Sequence, residues 1–211
     1  MSEIFDPSRV SYVATMAEVR GRHHPTLSRA TGKVMPRLDQ HCRVMLEKST
    51  FCLVGTHGKG GSDVSPRGDP AGFVRVLDDR HLLLPDRVGN NRFDTFANLF
   101  DNPSIGILFL VPGMSEILRI NGRARVTDDA ALLAASAVQG RAPQVGLLIE
   151  VREAYLHCAK AINRAGLWDS ARHIDRAALP SYGQMLADQV PDLTAEESAR
   201  QGAEMARRGM Y

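Results

Sequence analysis

The chain has 211 residues, 44% apolar and 24% charged, with a formal net charge of +2. That length supports one full hydrophobic core with trimmings rather than two large domains, and the composition is that of an ordinary folded protein, neither disordered nor membrane-spanning. A charge so near balance, with arginines scattered and not interleaved with aromatics, argues against a nucleic-acid partner.

Met1-Ser2-Glu3-Ile4-Phe5-Asp6 has no basic region followed by an apolar run, and no later segment approaches the length of a bilayer span. A cytoplasmic protein without a membrane partner is expected. Residues 1–36, broken by Pro7, Pro25 and Pro36, read as an arm that packs on the rest of the chain. Arg37 to Lys48 places Leu38, Cys42, Met45 and Leu46 at helical spacing behind a proline suited to a helix start.

Thr50 to Thr56 reads as a strand, with His57-Gly58-Lys59-Gly60-Gly61 turning it back into Ser62 to Arg67. Phe73 to Leu77 and His81 to Leu84 read as a third and fourth strand, joined by an Asp78-Asp79-Arg80 turn. The spacing predicts a helix over 91–101, with Phe93, Phe96, Ala97 and Phe100 on one face, and then an apolar strand from Ser104 to Val111. Glu116 to Thr127 alternates like a half-buried strand, Asp128 and Asp129 open a short helix, and Gln144 to Leu156 reads as a last long strand. Six or seven strands, mostly hairpin-linked, favour a small antiparallel barrel with peripheral helices over an alternating parallel sheet. Beyond Pro180 the chain turns helical, with Ser181 to Val190 as one element and a second opened by a capping box at Thr194-Ala195-Glu196-Glu197.

Most candidate chemistry dissolves on inspection. Gly58-Lys59-Gly60-Gly61 lacks the frame of a nucleotide-triphosphate loop and reads as a hairpin tip. The adjacent pairs His41-Cys42 and His157-Cys158 point their side chains apart and supply no convergent metal set, so no metal is expected. Cys42, Cys52 and Cys158 are odd in number and far apart, and read as reduced, mostly buried thiols. No nucleophile elbow surrounds Ser65, and no catalytic residue declares itself.

The group Arg67, Arg87, Asn90, Asn91 and Arg92 differs in kind. Arg67 closes one strand, Arg87 follows another, and Asn90 or Asn91 stands where it can cap the helix that Arg92 begins. Arginine forks and helix N-terminal amides together suit a phosphate. The same arginines can equally pair with Asp63, Asp69, Asp86 and Asp94, and both readings stand.

Four runs, taken in order, carry a resemblance: Asp63-Val64-Ser65-Pro66-Arg67-Gly68-Asp69-Pro70, Leu84-Pro85-Asp86-Arg87 through Asn90-Asn91-Arg92, Arg119-x-Asn121-Gly122-Arg123-Ala124, and His157-Cys158-Ala159-Lys160-Ala161 with Trp168. Together they resemble the pyridoxamine 5'-phosphate oxidase-like flavoproteins over residues 37–190. The resemblance implies a split β-barrel of the FMN-binding type over 37–180, followed by C-terminal helices over 181–211. It further implies a homodimer holding FMN at the subunit interface and an oxidoreductase acting on a small-molecule substrate.

By the same resemblance, Arg67 and Arg92 bind the FMN phosphate with Arg87, Asn90 and Asn91. Backbone around Val64, Ser65, Leu84 and Pro85 lies along the ring, and Lys160, Arg164 and Trp168 come from the other subunit. A flavin-binding or redox-sensing module without turnover, or a barrel holding F420 or haem, are the alternatives. The namesake enzymes carry a C-terminal Arg-x-His-x-Arg run. Here Arg172-His173-Ile174-Asp175-Arg176 has its histidine one place out, which in an extended segment turns the imidazole to the opposite face, so synthesis of pyridoxal phosphate is not expected.

Overall fold

A computed structural model describes residues 5–208, so the first four residues of the N-terminal reading and the last three of the expected C-terminal helices lie outside the described residues. Contacts part the chain after Val34 into two units. The first carries a 3-10 turn at Pro7–Arg9 and two short helices, α1 (Met16–Gly21) and α2 (Ser28–Gly32). Thr15 caps α1, its hydroxyl accepting the Glu18 amide at 3.3 Å.

In the second unit helix α3 spans Gln40–Lys48, a shorter element than the proline had suggested. Its start is set by Asp39, whose carboxylate accepts the Cys42 amide at 2.8 Å. Burial works most strongly against the ionised Asp39, but the Cys42 amide and thiol together with the charge and amide of His41 outweigh it and hold its pKa below the usual value. Cys42, Met45 and Leu46 face the core from the helix, and Leu38 is buried just before it.

Seven strands follow: β1 (Phe51–Gly58), β2 (Gly61–Gly68), β3 (Arg75–Val76), β4 (His81–Pro85), β5 (Ser104–Leu110), β6 (Ile117–Thr127) and β7 (Gly146–His157). They form one antiparallel sheet in the order β2-β1-β5-β6-β7-β4-β3. The two edges, β2 and β3, are not joined, so the barrel is split. Alternate residues of β1 and β5, among them Val54, Ile107 and Phe109, bury fully and meet Leu82, Leu118, Ile120 and Ile149 in a single core. Pro66 sits on the edge strand β2, where its missing amide leaves no ladder bond unmade.

The third strand is much shorter than the run from Phe73 to Leu77 suggested. Gly72 adopts φ +79°, and the Phe73 amide turns back to the Pro70 carbonyl, so only Arg75 and Val76 pair with β4. Asp78 closes the next turn, accepting the amides of Arg80 and His81 at 2.6 and 2.8 Å.

Helix α4 (Asp94–Asp101) departs most from its pattern. Thr95, Asn98 and Leu99 are the buried residues, whereas Phe93 and Phe100 are exposed and Phe96 is only partly covered. The reason lies across the interface. Asn98 donates to the Thr56 hydroxyl at 3.2 Å, and it packs on Gly58, where a Cβ would come within 2.6 Å of the Asn98 amide oxygen and 2.8 Å of its Cα.

Two small helices and a helical pair complete the described residues. Helix α5 (Ala130–Ala134) is capped by Asp129, α6 (Lys160–Ala165) follows β7, and α7 (Tyr182–Gln189) packs on α8 (Ala195–Arg208). The capping box at α8 is present, with the Glu197 amide donating to Thr194 Oγ1 at 3.1 Å and the Thr194 amide to Glu197 Oε2 at 3.1 Å. Cys42 and Cys52 are buried, but Cys158 is exposed because it lies past the end of the last strand, which corrects the expectation of mostly buried thiols in one case. Among the described residues no helix is long and apolar enough to cross a membrane.

Gly122 marks a register shift between β6 and β7, where a Cβ would overlap the Glu150 carbonyl. Gly122→Ala is expected to destabilise by about 1–3 kcal/mol or more, read as a lower urea midpoint. Wild-type stability would mean that β7 yields freely there. Burial pushes the Cys42 thiol up to about 11 and the Cys52 thiol up to about 12. Their neutral forms favour the fold up to the unfolded thiol value of about 8.5, and that contribution is lost as pH rises toward the folded values. Alkylation of native protein at about pH 8 is therefore expected at Cys158 first. Peptide mapping that finds Cys42 or Cys52 labelled before unfolding would contradict this.

Candidate functional site

Period-two alternation along β2 turns Asp63, Ser65 and Arg67 to one side and leaves Val64 and Pro66 outward. The segment after β4 brings Arg87, Asn90, Asn91 and Arg92 to that same side. Val64, Ser65, Arg67 and these four residues line one hollow of about 340 Å³. Leu84 and Pro85 do not line it. Both are buried at the end of β4, paired with Leu147 and Gly146, and their contribution is to carry Asp86 to the rim. Lys160, Arg164 and Trp168 also lie outside the lining; they are exposed, and the Trp168 indole donates to the Met114 carbonyl at 2.7 Å.

Each of the three arginines is ion-paired to one of the expected aspartates, and all three line the hollow. Arg67 Nη1 meets Asp86 Oδ1 at 2.7 Å, and Arg92 Nε meets Asp94 Oδ2 at 2.7 Å. Arg87 is bound differently. Its Nε meets Asp69 Oδ2 at 2.6 Å and its Nη2 donates to the Ser136 carbonyl at 2.9 Å, with the Asp69 side chain only 1% exposed. That guanidinium is committed to the scaffold. Arg67 Nε, by contrast, is buried and has no hydrogen-bond partner.

The helix beside the hollow begins at Asp94 rather than at Arg92, and neither asparagine caps it. Asn90 Oδ1 accepts the Arg92 amide at 3.2 Å in a turn before the helix, while the cap position falls to Phe93 at φ 59° with no side-chain bond. The amides of the first turn therefore lack a side-chain acceptor. Asn91 and Phe93 both hold left-handed backbone, a strained conformation for residues with side chains, on either side of Arg92.

One contributor escaped the sequence reading. Thr95, in the first turn of α4, donates to Asp63 Oδ2 at 2.8 Å and lies 2.9 Å from Ser65 Oγ, tying the helix start to β2. The spacing of Asp63 and Ser65 on one strand face was the available signal, but their partner is thirty residues away. Along β6, Arg119 Nε donates to Asn121, Asn121 to Glu153, and the Arg119 guanidinium stands 5.6 Å from the Tyr155 ring, a network within the strands and away from the hollow. The Arg172-to-Arg176 run is not a strand. Arg172 ends the 3-10 turn Ser170–Arg172 and Arg176 opens the 3-10 turn Arg176–Ala178, with extended backbone at His173 and Asp175 between them, so strict face alternation does not run its length.

An open antiparallel barrel of seven strands with peripheral helices, bearing an arginine-lined hollow between β2 and α4, defines the split-barrel class. The chain belongs to the pyridoxamine 5'-phosphate oxidase family, whose model matches residues 38–158, more than half of its length. Solved structures of similar fold include group A Streptococcus HupZ, at 21% identity and a TM-score of 0.47 over 56% of this chain and 93% of that one. An FAD-binding protein of Mesorhizobium loti is 15% identical, with a TM-score of 0.39 over 59% and 99%. General stress protein 26 of Bacillus anthracis is 13% identical, with a TM-score of 0.37 over 54% and 88%. No curated protein shows significant sequence similarity to the chain.

Removing Arg87 takes from the buried Asp69 carboxylate its ion-pair partner at 2.6 Å. Arg87→Ala is expected to cost about 3–5 kcal/mol of folding stability, measured by denaturant unfolding, and Arg87→Met combined with Asp69→Leu to recover most of it. A loss of under about 1 kcal/mol in the single variant would show the pair to be as weak as a surface one.

Proposed function

We propose that the chain is an FMN-binding flavoprotein, acting as an oxidoreductase on a small molecule, and that it works as a homodimer with the cofactor between subunits. The observation that carries this reading is the shared hollow of Arg67 and Arg92, with Arg67 Nε buried and without an acceptor. A phosphate oxygen there supplies the missing acceptor and competes with Asp94 for the exposed Arg92 fork. The first-turn amides of α4 add donors of the kind that favour a dianion. These residues fit a phosphate tail.

Edge strand β2 leaves one row of backbone groups outside the ladder, and Val64, next to Ser65, belongs to that row and offers its amide and carbonyl to the ring's polar edge. Leu84 and Pro85 act indirectly, their pairing with β7 fixing where Asp86 meets the hollow. Lys160, Arg164 and Trp168 are assigned to the neighbouring subunit's cofactor, the two cations favouring negative charge on the ring. FMN, when bound, supplies a ring that takes up and passes on electrons, while the protein contributes position, charge and exclusion of water.

Protein incubated with FMN and desalted is expected to stay yellow, with a flavin spectrum distinct from that of F420 or haem. Colourless protein overturns the reading. Arg67→Ala is expected to weaken FMN binding by about 1.5–3 kcal/mol in a fluorescence titration, and Arg92→Ala to weaken it in the same direction. Thermal unfolding of each variant separates lost grip from lost fold, because Arg67→Ala also leaves Asp86 unpaired. Unchanged affinity in both variants returns the arginines to their aspartates.

A further inference from the structure

A basin of about 720 Å³ opens beside the arginine hollow and shares Asp86, Arg87, Asn91, Phe93 and Phe96 with it. Its size is that of a small-molecule site. One wall is aromatic: the Phe93 and Phe96 rings stack at 5.8 Å and 19°, and Phe100 continues the row one helical turn on. Phe100 is 78% exposed, although the opposite face of α4 is anchored in the core. The end of the row nearest the hollow is held by left-handed backbone at both Asn91 and Phe93.

Three ionised groups line the basin, and each is already engaged. Asp86 holds Arg67 at 2.7 Å, Arg87 is locked onto the buried Asp69 and the Ser136 carbonyl, and Arg141 has an interaction partner of its own. A charged ligand placed there would give up water and meet no free counter-charge, a cost that an uncharged ligand of the same shape escapes. Hydrogen-bonding capacity does remain, and it is neutral. The Asn91 and Gln144 side chains line the basin and make no hydrogen bond as donors or acceptors beyond their own backbone among the described residues. Each carboxamide offers two N–H donors and a carbonyl acceptor. The wall thus suits a flat apolar body, and the unspent polar groups suit an uncharged carbonyl or carboxamide at its edge.

We propose that this basin is the substrate pocket, that it takes an uncharged planar apolar molecule with a carbonyl or carboxamide edge, and that Gln144 is a specificity-determining residue that binds that edge. The class of reaction rests on the flavoprotein reading, whereas the basin exists in the chain without the cofactor.

The test titrates 2-naphthamide and its anionic isostere 2-naphthoate calorimetrically into the full chain, with and without FMN. Naphthamide is expected to bind at least about tenfold more tightly than naphthoate, because only the carboxylate sheds its hydration without repayment. Gln144→Ala should weaken naphthamide by about threefold to tenfold, the worth of an uncharged hydrogen bond, and Phe100→Ser by at least about fivefold through lost apolar contact. Neither residue lines the arginine hollow, so FMN affinity should stay within about twofold in both variants. Equal affinities for the two probes, a preference for naphthoate, or naphthamide binding that survives both substitutions overturns the proposal. So does a chain that binds neither probe, or a Phe100→Ser variant that turns a dimer into a monomer in sedimentation, since the aromatic wall then belongs to a second copy. Protein that stays colourless with FMN yet binds naphthamide through Gln144 and Phe100 sinks the flavin reading alone.

Discussion

The site hangs on a buried ion pair. Asp69 follows β2, Arg87 follows β4, and the carbonyl that takes Arg87's second donor belongs to Ser136, just beyond α5. Three chain segments that are distant in sequence therefore converge on one guanidinium. Because the Asp69 carboxylate is almost wholly withdrawn from water, no solvent can substitute for Arg87, and the three ends are fixed relative to one another. Arg67 lies two residues before Asp69, and Asp86 immediately precedes Arg87, so the pair that faces the hollow is positioned by the pair that does not.

This division of labour resolves a difficulty in reading arginine clusters. Three arginines and three aspartates line or flank the hollow, which gives little net field for an anion. What differs is the hold each pair has. Arg87 is spent on the scaffold, Arg67 is half-committed, with Nη1 on Asp86 and Nε without an acceptor, and Arg92 meets Asp94 at an exposed surface where ion pairs exchange readily with a better acceptor. A ligand acceptor therefore has something to gain from two of the three.

Much of the barrel was legible because alternation and turn chemistry are local. The β1–β2 hairpin, the long strands β6 and β7, the Asp129 cap and the Thr194–Glu197 capping box follow from residues within a few positions of each other. The seat of the phenylalanine helix was not legible. Apolar spacing put Phe93, Phe96 and Phe100 on one face, but α4 docks through Thr95 and Asn98, whose partners Asp63, Ser65 and Thr56 come from the first hairpin. Specific polar pairing across a long sequence separation outweighed the hydrophobic pattern, and no window on the helix alone contains it. The seat of Leu84 and Pro85 was hidden for a similar reason, since only their pairing with β7 places them inside.

Gly58 carries the same logic one step further. The absent methyl group at the end of β1 gives Asn98 its resting place, and Asn98 lies six residues along from Arg92 on the element that seats it. A larger residue there would press on the Asn98 backbone, so helix or hairpin would have to give way. The rim of the hollow thus depends on a backbone position that does not line it.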